Sequence, residues 1–463
     1  MTRYSRLILV AASASLLGGC RHTLSEPAAI QPLSAACQAA LAPGPHRTPV
    51  DLAIGDLQQR ARDALRKREA LEQLGYQFVN RARLANDPGD YVLAERVATC
   101  IDEQSSGDLS ALLLRGHALH QLHRFHEAEA IARTLVAKRE FVLDYALLGD
   151  TLMEQGRLTD AAGAYQKMID LKPFYQSYTR AAHLRWLNGD LDGAIELIQR
   201  AITAASPRNP EAIAWAYARL AGYELQRGDF DRATAAIDAA LSFVPDYAAA
   251  LLVRGRVLLA RKRPSDAVSV LKRAANLNPL PDYQWTLADA LRRVSRDDEA
   301  TSVERQLVEQ GVATDPRTVA LFLSTRRMAH SQALSLTERE LDIRRDVFTE
   351  DARAWALAGA GRFDEASAAM ERALSARTND ARLFVHAGVI AASTGRQRDA
   401  RHWFAKAERL RFTLLPSELD LLFEGLHPSD SPTRALTEPR AHRSARVGSL
   451  GFEITSTINH AGE

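Results

Sequence analysis

The chain has 463 residues, with 59 Lys and Arg against 57 Asp and Glu, a formal charge of +2. No basic run is interleaved with aromatics, so nucleic-acid binding is not indicated. Low aromatic content (6%) and few strand-like runs point to an all-helical chain.

The first segment looks like a targeting signal. Arg3 and Arg6 precede an apolar stretch, Leu7 to Leu17, that is too short to span a bilayer. It ends Leu17-Gly18-Gly19-Cys20, which resembles a bacterial lipobox. The resemblance implies that residues 1–19 are removed and Cys20 becomes the lipidated first residue. Arg21 follows where an inner-membrane retention signal would have Asp, so the expected address is the outer membrane, facing the periplasm. That compartment permits a disulfide between the remaining cysteines, Cys37 and Cys100. Residues 20–50, with Pro27, Pro32, Pro43, Pro45 and Pro49, read as a flexible tether. A helix is expected from Asp51 to about Gln73, within an N-terminal helix and irregular unit covering 51–108.

Residues 142–173 show the motif that recurs. Tyr145, Leu148, Gly149 and Leu152 lie at helical spacing, Gln155-Gly156-Arg157 breaks the pattern, Ala161, Tyr165 and Met168 resume it, and Pro173 closes it. With Gly149 as marker, counterparts fall at Gly116, Ala182, Ala221, Gly255, Ala288, Leu321, Ala354 and Gly388. The steps are 33, 33, 39, 34, 33, 33, 33 and 34 residues. Twelve residues past each marker stands an alanine: Ala128, Ala161, Ala194, Ala233, Ala267, Ala300, Ala333, Ala366 and Ala400. Two helices in close contact need a small side chain there. Turns carry Gly156-Arg157, Gly189-Asp190, Gly228-Asp229, Gly361-Arg362 and Gly395-Arg396. The long step reflects a loop at Pro207-Arg208-Asn209-Pro210.

This period and pattern resemble the tetratricopeptide repeat (TPR). The resemblance implies a right-handed superhelical solenoid of about nine to ten helix-turn-helix repeats. Residues 109–313 form the regular array, and 314–346 form a degenerate repeat with a bulky marker and no turn glycine. Repeats resume over 347–415. Gly75 and Ala94 mark an irregular unit upstream. Residues 416–426, with Leu419, Leu422, Phe423 and Leu426, read as a C-terminal capping helix. Residues 427–463 read as a disordered tail. Asp351-Ala352-Arg353-Ala354-Trp355-Ala356-Leu357 and His386-Ala387-Gly388-Val389-Ile390 resemble motifs of secreted bacterial TPR proteins without an established activity. The Asp-His pair common in that group is replaced here by Ser324-Thr325-Arg326.

In the TPR family the first helix of each repeat lines the concave face. Transferred to this chain, that rule selects His117, His120, Asp150, Met153, Glu154, His183, Trp186, Arg256, Asp289 and Arg292 as groove residues, with Trp215 and Trp285 also lining. Aromatic anchors and mixed charges suit a protein or peptide partner. The Lys and Asn constellation that clamps a C-terminal carboxylate is missing. A rival reading takes His117, His120, His123 and His126 as a transition-metal site of a metal-binding or metal-responsive protein. No nucleophile elbow, phosphate loop or dinucleotide fingerprint occurs, so catalysis is not expected, and a hydrolase with an unrecognised site ranks last. No cofactor is expected. The resulting expectation is a lipid-anchored cell-envelope scaffold that binds a partner in its groove.

Overall fold

The computed structural model describes residues 33–44, 47–62, 67–85 and 87–427. The expected signal peptide, Cys20 and most of the C-terminal tail lie outside the described residues. Among the described residues no helix is long and apolar enough to cross a membrane.

The described chain is helical throughout. It runs α1 (Ala35–Leu41), α2 (Pro49–Arg62), α3 (Lys67–Ala85), α4 (Gly89–Gln104), α5 (Leu109–Gln121), α6 (Phe125–Lys138), α7 (Val142–Glu154) and α8 (Leu158–Leu171). Then come α9 (Tyr175–Leu187), α10 (Leu191–Ala204), α11 (Pro210–Arg227), α12 (Phe230–Phe243), α13 (Ala248–Ala260), α14 (Pro264–Leu277), α15 (Pro281–Arg293) and α16 (Asp297–Thr314). The chain ends α17 (Pro316–Thr325), α18 (His330–Ile343), α19 (Val347–Gly359), α20 (Phe363–Leu374), α21 (Ala381–Ser393), α22 (Gln397–Arg409), a 3₁₀ turn at Arg411–Thr413, and α23 (Pro416–Leu426). From α3 onward these are ten antiparallel pairs and a final single helix.

Two expectations change at the N-terminus. The helix expected from Asp51 to Gln73 is two helices, α2 and α3. Part of the expected tether, Ala35–Leu41, is folded as α1. It is held on α4 by a Cys37–Cys100 disulfide and by the burial of Ala36, Ala40 and Leu41. Of the prolines that suggested a tether, Pro43 lies in the connection after this short helix and Pro49 opens α2.

The alanine column explains the pairing. All nine alanines are buried, eight of them with no exposed surface and Ala400 at 2%. At each, the second helix leans on the first, and a larger side chain would hold the two apart. The marker glycine serves the same contact from the other side. A Cβ at Gly149 would overlap the Tyr165 ring.

Most turns are built with one of two devices. After Gly189 and Gly228, the side chains of Asp190 and Asp229 cap the next helix by accepting from Gly193 N and Arg232 N at 2.9 Å. In others arginine follows and pairs with an acid three residues on, as Arg157 does with Asp160 (2.6 Å) and Arg362 with Glu365 (2.6 Å), whereas Arg396 reaches Glu371 (3.9 Å). A cap of the first kind stabilises by about 1 kcal/mol. An exposed pair of the second kind contributes about 0.3–0.5 kcal/mol.

The degenerate repeat is regular with one extra residue. In the other turns the residue after the left-handed position donates its N–H five residues back, as Arg157 N does to Leu152 O and Arg362 N to Leu357 O. Here Met328 N donates to Leu323 O, and Arg327 takes the left-handed conformation at φ 58°. In register the marker is therefore Ala320, a small residue like the others, and not Leu321. The extra residue is Ala329, at φ 46°.

The first helices of successive repeats touch each other, which puts them on the inside of the curve. The solenoid completes a turn and meets itself. Three turns of the N-terminal repeats receive loops from about 190 residues further on. Arg345 N donates to Glu154 O (3.3 Å), Thr378 Oγ1 to Leu187 O (2.5 Å), and Asn379 Nδ2 to Gly189 O (3.1 Å). The Phe412 ring meets Phe230 edge-on at 5.8 Å, over Gly228.

Candidate functional site

This closure divides the inner face into two halves of different character. In the C-terminal half, α15, α17, α19, α21 and α23 touch in succession, and α23 returns to α15. The ring has a filled interior. Trp285, Phe322, Trp355 and Asp351 are each at most 1% exposed. The two motifs that resembled the secreted TPR group meet here: Asp351 Oδ1 lies 2.8 Å from His386 Nδ1, and the His386 ring stacks on Trp355 at 4.1 Å. Trp355 Nε1 donates to Thr325 Oγ1 at 3.0 Å. This is a buried network.

The N-terminal half stays open. A groove of about 700 Å³ is lined by the first helices α3, α5, α7, α9 and α11 and by the loop before α11. Its floor is a fixed ionic cluster. Arg180 Nε and Nη2 donate to the two carboxylate oxygens of Asp150 at 2.8 and 2.7 Å, and Tyr165 OH donates to Asp150 Oδ1 at 2.8 Å. Burial alone would raise the Asp150 carboxyl, but the Arg180 guanidinium overrides it and holds the group below its ordinary range. Above this floor, His117 is kept neutral. Burial, then the nearby His120 and Arg180, lower it to about 4.

The walls and mouth hold the groups available to a ligand. Tyr76, 39% exposed, faces the same groove as Trp215, Asn80, Gln176 and Arg208. Among the described residues no hydrogen bond engages the Asn80, Gln176 or Arg208 side chains. Arg83 and Glu211 approach to 3.8 Å from opposite sides and mark one end. Amides and a free guanidinium between aromatic walls can hold a peptide backbone and an acidic side chain.

The sequence-selected residues are placed as follows. His117 and Asp150 line the groove. Met153 Sδ lies 3.8 Å from Tyr165 OH. Glu154 belongs to the seam between solenoid turns, paired with Arg344 at 3.3 Å. His183 stacks on Trp186 (5.5 Å) and lies 3.0 Å from Arg219, while Trp186 donates to Gln226 Oε1 (2.6 Å) and stacks on Phe348 of α19 (5.8 Å). Three expected groove residues are engaged elsewhere. Arg256 pairs with Asp282 (2.6 Å), Arg292 with Glu304, and Asp289, 1% exposed, with Arg326 (2.6 Å). The ring closes over the face of Asp289, while Arg256 and Arg292 are held by acids of α15 and α16.

The histidine cluster does not converge. His120 turns edge-on to Phe125 (5.2 Å), His123 sits in the left-handed turn at φ 59°, and His126 is exposed on α6. Among the described residues no group of three or more His, Cys, Asp or Glu is placed to hold a metal. The metal reading of His117, His120, His123 and His126 is therefore withdrawn.

Tyr76, Asn80 and Arg83 were missed because the irregular first unit hides their repeat position. Arg208 lies in the loop that the 39-residue step had marked, and that step was the available signal.

The family comparison agrees with this architecture. The tetratricopeptide repeat family model matches residues 113–176, 146–210, 218–281 and 352–411. No curated protein matches the sequence significantly. Among solved structures, the chain is similar to a monomeric mutant of IFIT1 with m7Gppp-AAAA (13% identity, 76% of this chain and 83% of that one, TM-score 0.43). It is also similar to YrrB, a TPR protein with an unusual peptide-binding site (15% identity, 39% of this chain and 92% of that one, TM-score 0.29).

Proposed function

Because the chain belongs to the tetratricopeptide repeat family, we propose that it is a lipid-anchored cell-envelope scaffold that binds a segment of a partner protein in the groove of its N-terminal half. The carrying observation is that groove: about 700 Å³, aromatic on its walls, with unengaged amide and guanidinium groups above a neutralised floor. The floor is rigid because its charges satisfy one another, so a ligand gains from the walls and the mouth. Anchoring through Cys20 is supported by the Arg3–Cys20 pattern, and an oxidising compartment by the Cys37–Cys100 disulfide. A lipidated Cys20 would hold the chain at the membrane surface without a spanning helix.

The test places a photo-crosslinking residue at Tyr76 in intact cells. A defined partner should be captured, and capture should fall at least ten-fold with Asn80→Ala/Gln176→Ala/Arg208→Glu. Equal capture by that variant, with its fold intact by circular dichroism, would show that the groove is not the site. Cys20→Ala should move the protein from the membrane to the soluble fraction.

A further inference from the structure

Helix α23 does more than cover the last repeat. Covering needs its apolar face, and Leu421 and Leu422 supply that against α21 and α22. Its first turn is held across the ring, by inner-face residues of a repeat three units earlier. Ser417 N donates to Asp289 Oδ2 at 2.8 Å, Trp285 Nε1 donates to Ser417 Oγ at 3.2 Å, and Arg293 Nη2 donates to Pro416 O at 2.8 Å. Arg382 of α21 pairs with Glu418, which also accepts from Leu415 N at 2.7 Å. The start of a helix carries unsatisfied N–H groups and a positive dipole end, and buried Asp289 meets both.

Asp289, Trp285, Arg293 and Arg382 are the kind of inner-face residues by which a solenoid groove receives a ligand. The charges are complementary: the site offers Arg293, Arg327 and Arg382, and the occupant offers Asp420, Glu424 and Glu418. The occupant is attached on one side only among the described residues, through 410–415, and its Phe423 is 48% exposed. Its departure would displace no later described element.

We propose that the inner face of α15 and α21 is a second binding site, filled in cis by α23. It accepts in place of α23 an acidic amphipathic helix of a partner protein. That helix begins with a hydroxyl residue and Glu, followed by a Leu pair spaced as in Ser417, Glu418, Leu421 and Leu422. The site is separate from the N-terminal groove and does not depend on what that groove binds.

The experiment uses the full chain and a fluorescein-labelled synthetic peptide of residues 414–427. Glu418→Lys in the chain should speed hydrogen exchange over 416–426 and tighten binding of the peptide at least ten-fold over wild type. Arg382→Glu alone should release α23 in the same way, and that chain should not bind the wild-type peptide but should bind a peptide carrying the Glu418→Lys change. With the wild-type chain, excess unlabelled peptide should speed exchange in 416–426 by displacement, an arm that stands even if the variant misfolds. The proposal is overturned if α23 is released and no peptide binds. Unchanged exchange in both arms overturns it too, since α23 is then a fixed cap. A dimer formed by the Glu418→Lys chain would place the helix in a second copy and overturn the partner reading.

Discussion

Asp150 and Arg180 are joined by two hydrogen bonds of 2.8 and 2.7 Å between α7 and α9, and this pair is the floor of the open groove. It links two adjacent repeats at a place where their first helices otherwise touch little. Removing one member leaves the other charge largely buried. Asp150→Ala should therefore cost about 3 kcal/mol, and Asp150→Ala/Arg180→Met should recover part of it. Hydrogen exchange over α7 and α9 measures this locally, which suits an array whose unfolding need not be two-state. A single variant as stable as wild type would count against the floor being structural.

Gly189 and Gly395 share a left-handed φ, 81° and 76°, but not their surroundings. A Cβ at Gly189 would lie 2.5 Å from the Arg377 carbonyl oxygen, whereas at Gly395 it would meet nothing within 4 Å. Gly395→Ala should cost about 1–2 kcal/mol of backbone strain. Gly189→Ala should cost that and also loosen the seam, with faster exchange near Thr378. Equal effects of the two substitutions would mean that the seam is not a stabilising contact.

The Cys37–Cys100 bond closes a loop of 63 residues in sequence separation. The chain-entropy relation assigns such a loop about 4 kcal/mol, with strain and residual structure reducing it. Reduction, or Cys37→Ser/Cys100→Ser, should lower the melting temperature and release α1 first. Protection of α1 unchanged under reductant would contradict this.

Acid should weaken the N-terminal repeats. Burial, then Arg219, lowers His183 to about 3, and burial lowers His117 to about 4, against an ordinary value near 6.5. The unfolded chain takes up protons below pH 6.5 that the folded chain refuses. This contribution is full above about pH 6.5 and declines as the pH falls toward 4 for His117 and toward 3 for His183. His183→Gln should narrow the difference in melting temperature between pH 7.5 and 5. An unchanged difference would show that His183 is not a source of it.

Ala161 has no exposed surface, whereas nothing lies within 4 Å of a Cβ placed on Gly163 two residues on. Ala161→Leu should destabilise by about 1–3 kcal/mol through overpacking. Gly163→Ala should stabilise by about 0.5–1 kcal/mol, since a helical glycine is replaced without a clash. Thermal melts of the two variants compare them directly, and a neutral Ala161→Leu would undercut the packing account of the alanine column.

The repeats were legible because their determinants are local. A small marker, a left-handed turn residue and an alanine twelve positions past the marker decide how two neighbouring helices meet, and each lies within one unit. The same locality hid the register of the degenerate repeat. An inserted residue at Ala329 can be recognised only from the hydrogen bond that Met328 makes to Leu323. The capping segment was also legible, as an apolar face after Ser417.

What the sequence by itself determined is the unit and its repetition. What only the tertiary structure decided is which inner faces remain open. Small rotations between repeats add up until Thr378 reaches Leu187 and α23 reaches α15. That sum is a property of the whole array, and no single repeat encodes it. So Asp289 and Arg256, which read as groove residues in the same way as Asp150, are taken up by pairing and ring closure. The open surface instead falls to Tyr76, Asn80, Gln176 and Arg208, where the curve has not yet closed.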